Sequence, residues 1–280
     1  MLTTTVDGLW ALQVLSGIEV VAPELELRPH LPSVETRPMA LSHPVAGELR
    51  DAGAITASGE VDGHILEWLT VLSRRNRALL MHASPAASTP SPDTILLAGY
   101  SRWWVALERR GSFVRLSGVG TATTEQAAGQ LISAQTERIW GRRSPAVFRP
   151  VTVDVGDLVS SVVDRRSLLA FLARNKVDAD QAAALVQASD PTVSRQITAV
   201  AVTSATSGAA RTSRIGEDAV TIIDSPAGRL SCEHVRRGGK TWMVITPGTA
   251  VQVASAVTRL ILDVQRDRIQ RHRIQEREAV

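Results

Sequence analysis

The sequence predicts an α+β fold, with a mainly antiparallel central sheet flanked by helices and two halves related by a pseudo-two-fold. Three observations predict it. Between Ser194 and Thr246 the chain reads as successive strands, SRQITAVAVTSATS, DAVTIID, AGRLSCEHVRR and GGKTWMVIT, broken at Gly216, at the Pro226–Gly228 turn and at Gly238–Gly239. An earlier run of strands takes in residues 77–84, 94–100, 102–109 and 112–117, with Arg110 and Gly111 as a tight turn. Lastly, the order of elements repeats. TTTVDGLWALQVL resembles VTVDVGDLVSSVV, and GTATTEQAAGQLISA resembles PGTAVQVASAVTRLI, a duplication with a period of ~140 residues. The organisation expected is one α/β half over residues 1–145, a second over 146–265, and a charged helix end or tail over 266–280.

Taken in order, Thr3 to Val6 is β-prone. Asp7 stands where an N-cap would, before a segment whose Leu9, Leu12 and Leu15, with Trp10 and Val14, give a wide apolar face ending at Gly17. IEVVAPELEL reads as an edge strand broken by Pro23, and the prolines at 29, 32, 38 and 44 argue against regular helix between Arg28 and Pro44. Residues 45–52 form a short helix stopped by Gly53. In residues 61–75, Ile65, Trp68, Leu69 and Leu72 share a helical stripe. Residues 85–92 (PAASTPSP) are small and proline-rich and read as a mobile loop. Thr124 caps a helix reaching Trp140, and GRRSPAVFRP links the halves. Asp178 caps a helix over residues 179–188, and the last helix opens at Pro247, where a missing N–H costs little.

The chain has 280 residues, 44% of them hydrophobic, enough for a sizeable core. Net charge is only +3, and Lys176 and Lys240 are the only lysines. The pI near 9.7 therefore reflects arginine chemistry rather than a strong positive field. Cys232 is the single cysteine, so no internal disulfide forms and a reducing cytoplasm is expected. MLTTTVDGLW lacks the basic and apolar regions of a signal peptide, and no stretch approaches the ~18 apolar residues of a membrane span.

Signals for enzymatic chemistry are weak. There is no P-loop, GxSxG, HExxH or paired CxxC, and Gly118-Val119-Gly120 lacks the third glycine of a dinucleotide fingerprint. The histidines at 30, 43, 64, 82, 234 and 272 lack metal-ligand spacing, so neither metal nor cofactor is expected. Cys232 and His234 share one strand face and define an alternative function, a Cys232-dependent hydrolase or transferase. A second alternative is a nucleic-acid-binding regulator acting through Arg266, Arg268, Arg271, Arg273 and Arg277. Asp267, Glu276 and Glu278 offset those charges, and no aromatic offers a stacking platform.

MLTTTVDGLWALQVL, VVAPELELRPHLPSVE, EWLTVLSRRNRALLM, RWWVALER and ERRGSFVRL together resemble the EspG proteins, ESX (type VII) secretion-associated chaperones of mycobacteria and related actinobacteria. The likeness runs to about Asp263. It implies an EspG-like fold and a non-enzymatic cytosolic chaperone or adaptor without cofactors, monomeric or weakly dimeric when alone. Such a protein binds the apolar helical tip of the PPE protein in a PE–PPE heterodimer, keeps it soluble and targets it for secretion. The resemblance also implies docking on the second half, its sheet face and C-terminal helices.

Strand alternation refines that surface. Ile197, Ala199 and Ala201 lie on one side of their strand, and Gln196, Thr198, Val200 and Val202 on the other. Gln196, Thr198, Val200 and Val202, with Arg229, Ser231 and Glu233 two strands on, are the partner-binding residues expected. The other choice of face is Ile197, Ala199, Leu230, Cys232 and His234. On the first choice, a bulky or oppositely charged residue at Ser231 or Glu233 weakens binding without unfolding.

Overall fold

The computed structural model describes residues 1–84, 93–207 and 210–262; the proline-rich loop expected at 85–92 and the Arg-rich tail expected at 266–280 lie outside them. The first block runs β1 (Leu2–Thr5), α1 (Val6–Ser16), a 3-10 turn at Pro23–Leu25, α2 (Arg37–Ser42), α3 (Val45–Asp51) and α4 (Gly63–Arg74). It continues with β2 (Arg77–Ser84), β3 (Asp93–Tyr100), β4 (Trp103–Arg110), β5 (Phe113–Thr121) and α5 (Glu125–Trp140). The second runs β6 (Val151–Asp154), α6 (Val155–Ser161), α7 (Arg165–Arg174), α8 (Ala179–Ala188), β7 (Arg195–Ser207), β8 (Ala210–Ser225), β9 (Gly228–Arg237) and β10 (Lys240–Pro247). A last helix, α9, is described over 250–262. The architecture is α+β, with mainly antiparallel strands and flanking helices.

Topology bears out the duplication. Strand order is β1-β5-β4-β3-β2 in the first block and, read from its own short opening strand, β6-β10-β9-β8-β7 in the second. Each opening strand pairs antiparallel with the last strand of its block, Leu2 opposite Leu116 and Val153 opposite Met243. Each also ends on the cap of the helix that follows. Thr5 Oγ1 accepts from the Gly8 amide at 3.1 Å, and Asp154 Oδ1 accepts from Gly156 at 2.8 Å and Asp157 at 3.2 Å. Such caps satisfy amides that the first turn leaves without partners.

Compactness divides the chain differently from a cut at residue 145. One unit takes residues 1–80, 93–123 and 202–214, and the other the remaining described residues, so α5 belongs with the later helices. In the first unit α1 is buried from Gly8 to Val14, and the core gathers Leu9, Leu12, Leu25, Leu49, Leu69, Leu72, Leu79 and Trp104. Its ends correct three expectations. Thr5, not Asp7, caps α1. IEVVAPELEL forms no strand: Pro23 brings no donor, and Glu24 is drawn into a buried bidentate pair with Arg75, Nη2–Oε distances 2.6 and 2.7 Å. The proline-rich connection does contain a helix, α2, because Pro38 falls in its first turn behind a Thr36 cap.

In the second unit Gly216 is no break, since β8 runs through it. Pro247 closes β10, and Thr249 caps α9, its Oγ1 accepting from the Gln252 amide at 3.2 Å. The β9–β10 turn is as expected. Gly238 and Gly239 have φ of 61° and 76°, the paired left-handed conformation that a two-residue hairpin turn needs.

Candidate functional site

The second unit has two sheet faces with different fates. Ladder register decides which residue belongs to which, because cross-strand partners point the same way. Thr221 opposes Cys232 and Ile222 opposes Ser231, while Cys232 opposes Ile245 and His234 opposes Met243. Thr198 Oγ1 lies 3.1 Å from Thr221 Oγ1, which puts Thr198 on the Cys232 side.

The expected partner-binding set therefore divides. Thr198 and Val200 belong with Leu230, Cys232 and His234; Ile197 and Ala199 belong with Arg229, Ser231 and Glu233. Alternation within each strand holds, with Ile197, Ala199 and Ala201 buried, but the phase between β7 and β9 is shifted by one residue from that expected. Alternation cannot supply that phase; the intervening turns and ladder set it. Gln196 is exposed, Thr198 and Val200 are half-buried, and Val202 is buried.

Arg229, Ser231 and Glu233 are buried on the face that α5 and α9 cover. Glu233 is held there by Arg259 of α9, whose Nε donates to Oε2 at 3.2 Å. Arg229 is clamped by Asp224, Nε to Oδ1 at 2.7 Å and Nη2 to Oδ2 at 3.0 Å, and also donates to the Gly141 carbonyl at 2.8 Å. The linker after α5 is thereby stapled to β9, and the Ala146 and Gly248 amides both donate to the Arg229 carbonyl. Helices α5 and α9 approach closely because Gly129 has no side chain: a Cβ there would lie 1.9 Å from Thr258 Oγ1. Beside that contact runs a groove of about 660 Å³ lined by Glu125, Gln126, Gln130, Glu137, Val251 and Ser255 among others.

On the opposite face, α7 and α8 cover only part of the sheet. Phe171, Leu172, Leu185 and Ala188 pack with Leu230, Cys232, Ile245 and Val153. Met243 packs against that cluster, and past it Thr198, Val200, Ala219, Thr221 and His234 stay half-buried. This strip of small, β-branched and flexible side chains, with one imidazole, is shallow and largely uncharged, suited to receiving apolar side chains from another molecule. Ala219, Thr221 and Met243 were not in the expected set, although period-two patterning in DAVTIID and GGKTWMVIT contains them; His234 belonged to the other choice of face.

Cys232 sits under this cover at 8% exposure, and burial, reinforced by Glu233, pushes its thiol up to about 12. A thiol held protonated inside a core makes a poor nucleophile, which removes the support for the Cys232 hydrolase or transferase alternative. Among the described residues no three His, Cys, Asp or Glu side chains come together as a metal site, and no described helix is long and apolar enough to cross a membrane.

A model of the EspG family matches residues 5–259 of the chain. The ESX-2 secretion-associated protein EspG2 of Mycobacterium tuberculosis is 43% identical over 263 residues, covering 93% of this chain and 94% of that protein. The ESX-5 secretion-associated protein EspG5 of Mycobacterium marinum is 25% identical over 288 residues, covering 94% and 93%. Among solved structures, the Mycobacterium tuberculosis type VII secretion system chaperone EspG5, in complex with a PE25-PPE41 dimer, is similar at a TM-score of 0.71. Identity there is 21%, with 94% of this chain and 95% of that chain covered, a likeness of fold.

Proposed function

This chain belongs to the EspG family, and on that premise we propose that it is a cytosolic chaperone and adaptor for PE–PPE heterodimers. It binds the apolar helical tip of the PPE partner, keeps the pair soluble and delivers it to a type VII secretion system. It acts by shielding a surface and catalyses nothing.

The observation that carries this reading is the partly covered sheet of the second unit. Helices α7 and α8 leave Thr198, Val200, Thr221 and His234 half-open to solvent beside the packed Met243, with Gln196 exposed at the strand end. An apolar helical tip exposed in isolation aggregates, and a shallow strip of this composition takes up such side chains without charge to bury. Of the residues expected from sequence, Gln196, Thr198 and Val200 fit this docking face. Arg229, Ser231 and Glu233 serve it from behind, by fixing α9 and the linker to the sheet.

The test is co-expression with the PE–PPE pairs encoded beside the chain, followed by gel filtration. Co-elution with at least one pair is expected; failure with every pair sinks the proposal.

A further inference from the structure

The duplication supplies an internal comparison. Aligned on their caps, Thr5 and Asp154, α1 and the shorter α6 match Leu9 with Leu158 and Trp10 with Val159; Val14 corresponds to Val163, which lies past the end of α6 on the link to α7. Both helices pack on the opening strand and the last strand of their block. Their burial is opposite. Helix α1 is buried from Gly8 to Val14, whereas α6 has no buried residue. Trp10 and Val14 are 5% and 7% exposed, and Val159 and Val163 are 73% and 88% exposed.

The difference lies in what covers them. Two short helices, α2 and α3, pack on α1. His43, at their junction, meets the Trp10 ring edge-on at 5.7 Å, and the Arg28 guanidinium lies 5.4 Å from that ring. The cover brings Ala40, Val45, Ala46 and Leu49, all buried. Residues 17–62 separate α1 from α4 in the first block, whereas only residues 162–178 separate α6 from α8 in the second, room for α7 alone. Helix α7 packs on α6 but leaves Val159 and Val163 in solvent, with Leu169 of α7 44% exposed.

We propose that α6 and the link after it are a second seat for the partner: two helices of the PPE protein, joined by a turn, cover Val159 and Val163 as α2 and α3 cover Trp10 and Val14. The inference rests on the PE–PPE reading and specifies its geometry. The occupant is a helical tip because the molecule's own cover on the equivalent helix is one, a pair of short helices joined at His43 and Pro44 that presents small and aliphatic side chains. Flanking charges on α6 and α7 are mixed, Asp157 and Asp164 beside Arg165 and Arg166, so apolar contact carries the recognition.

The test uses the full chain with a co-expressed PE–PPE pair, comparing Val159→Asp, Val163→Asp and, as control on another helix, Val251→Asp. Both valine variants are expected to weaken the complex at least roughly tenfold and to leave the melting temperature of the free chain unchanged, because Val159 and Val163 are themselves exposed. Val251→Asp should bind as wild type. Wild-type affinity in both valine variants overturns this seat while leaving the chaperone reading intact; absence of any complex with the wild type instead overturns that reading. A wild-type homodimer that Val159→Asp converts to monomer, with partner binding unaffected, also overturns the seat by assigning α6 to self-association.

Discussion

Placing arginine at Ser231 and, separately, at Thr198 tests the assignment of sheet faces. Both residues are hydroxylic and sit in the second sheet, but they face opposite ways. Ser231 has 0% exposure and lies between Arg229 and Glu233 on the face covered by α9. An arginine there has no route to solvent. Overpacking costs about 1–3 kcal/mol, and a buried charge without a partner adds several more. A combined loss of about 4 kcal/mol corresponds to a melting temperature lowered by roughly 8–16 °C in a chain of this size. Thr198 is half-open, and its loss is the 3.1 Å contact with Thr221, about 0.5–1.5 kcal/mol and a few degrees at most. Thermal unfolding followed by circular dichroism measures both. Partner binding should show the reverse ranking of directness, with Thr198→Arg losing the complex while still folded. If the two variants melt together, or Ser231→Arg melts as wild type, the faces have been assigned wrongly. This revises the sequence-based expectation that Ser231 tolerates a bulky residue.

Asp224→Ala strands the 4%-exposed Arg229 guanidinium with the Gly141 carbonyl and should cost about 3–5 kcal/mol; a loss below about 1 kcal/mol in denaturant titration contradicts that clamp. Gly129→Ala forces α5 from α9 and should destabilise by about 1–3 kcal/mol, with most of the loss absent in a Thr258→Ala background. Additive losses in that double-mutant cycle show that the close approach is not the cause. Because the Cys232 thiol is raised from 9.0 to about 12, the folded state retains a proton that the unfolded chain releases. Its contribution is complete below pH 9 and is lost as pH rises towards 12, so Cys232→Ala should flatten the alkaline fall in stability; an unchanged pH profile refutes the burial argument.

Much of the fold was legible because its signals are local. Thr124 and Asp178 cap α5 and α8 as read, and Gly238–Gly239 turns the last hairpin. The duplication was legible because element order survives where identities do not. What misled were residues whose local preference yields to a distant partner: Asp7 yields its cap to Thr5, and Glu24 leaves an apparent strand for Arg75, 51 positions away. The candidate site was half legible. Alternation sorted Ile197 from Thr198 but could not relate either to Ser231, since that phase depends on hydrogen bonding across β8. The exposure of Val159 was hidden for a similar reason. An apolar residue in a helical pattern reads as core, and only comparison with the covered α1 reveals that its cover is missing.

Amide hydrogen exchange on the free chain and on its complex with a PE–PPE pair tests the central claim most directly. The account predicts new protection in residues 196–201 of β7 and in α6, with the amides of α5 and α9 unchanged. Protection confined to α5 and α9, with β7 and α6 exchanging as in the free chain, would contradict it.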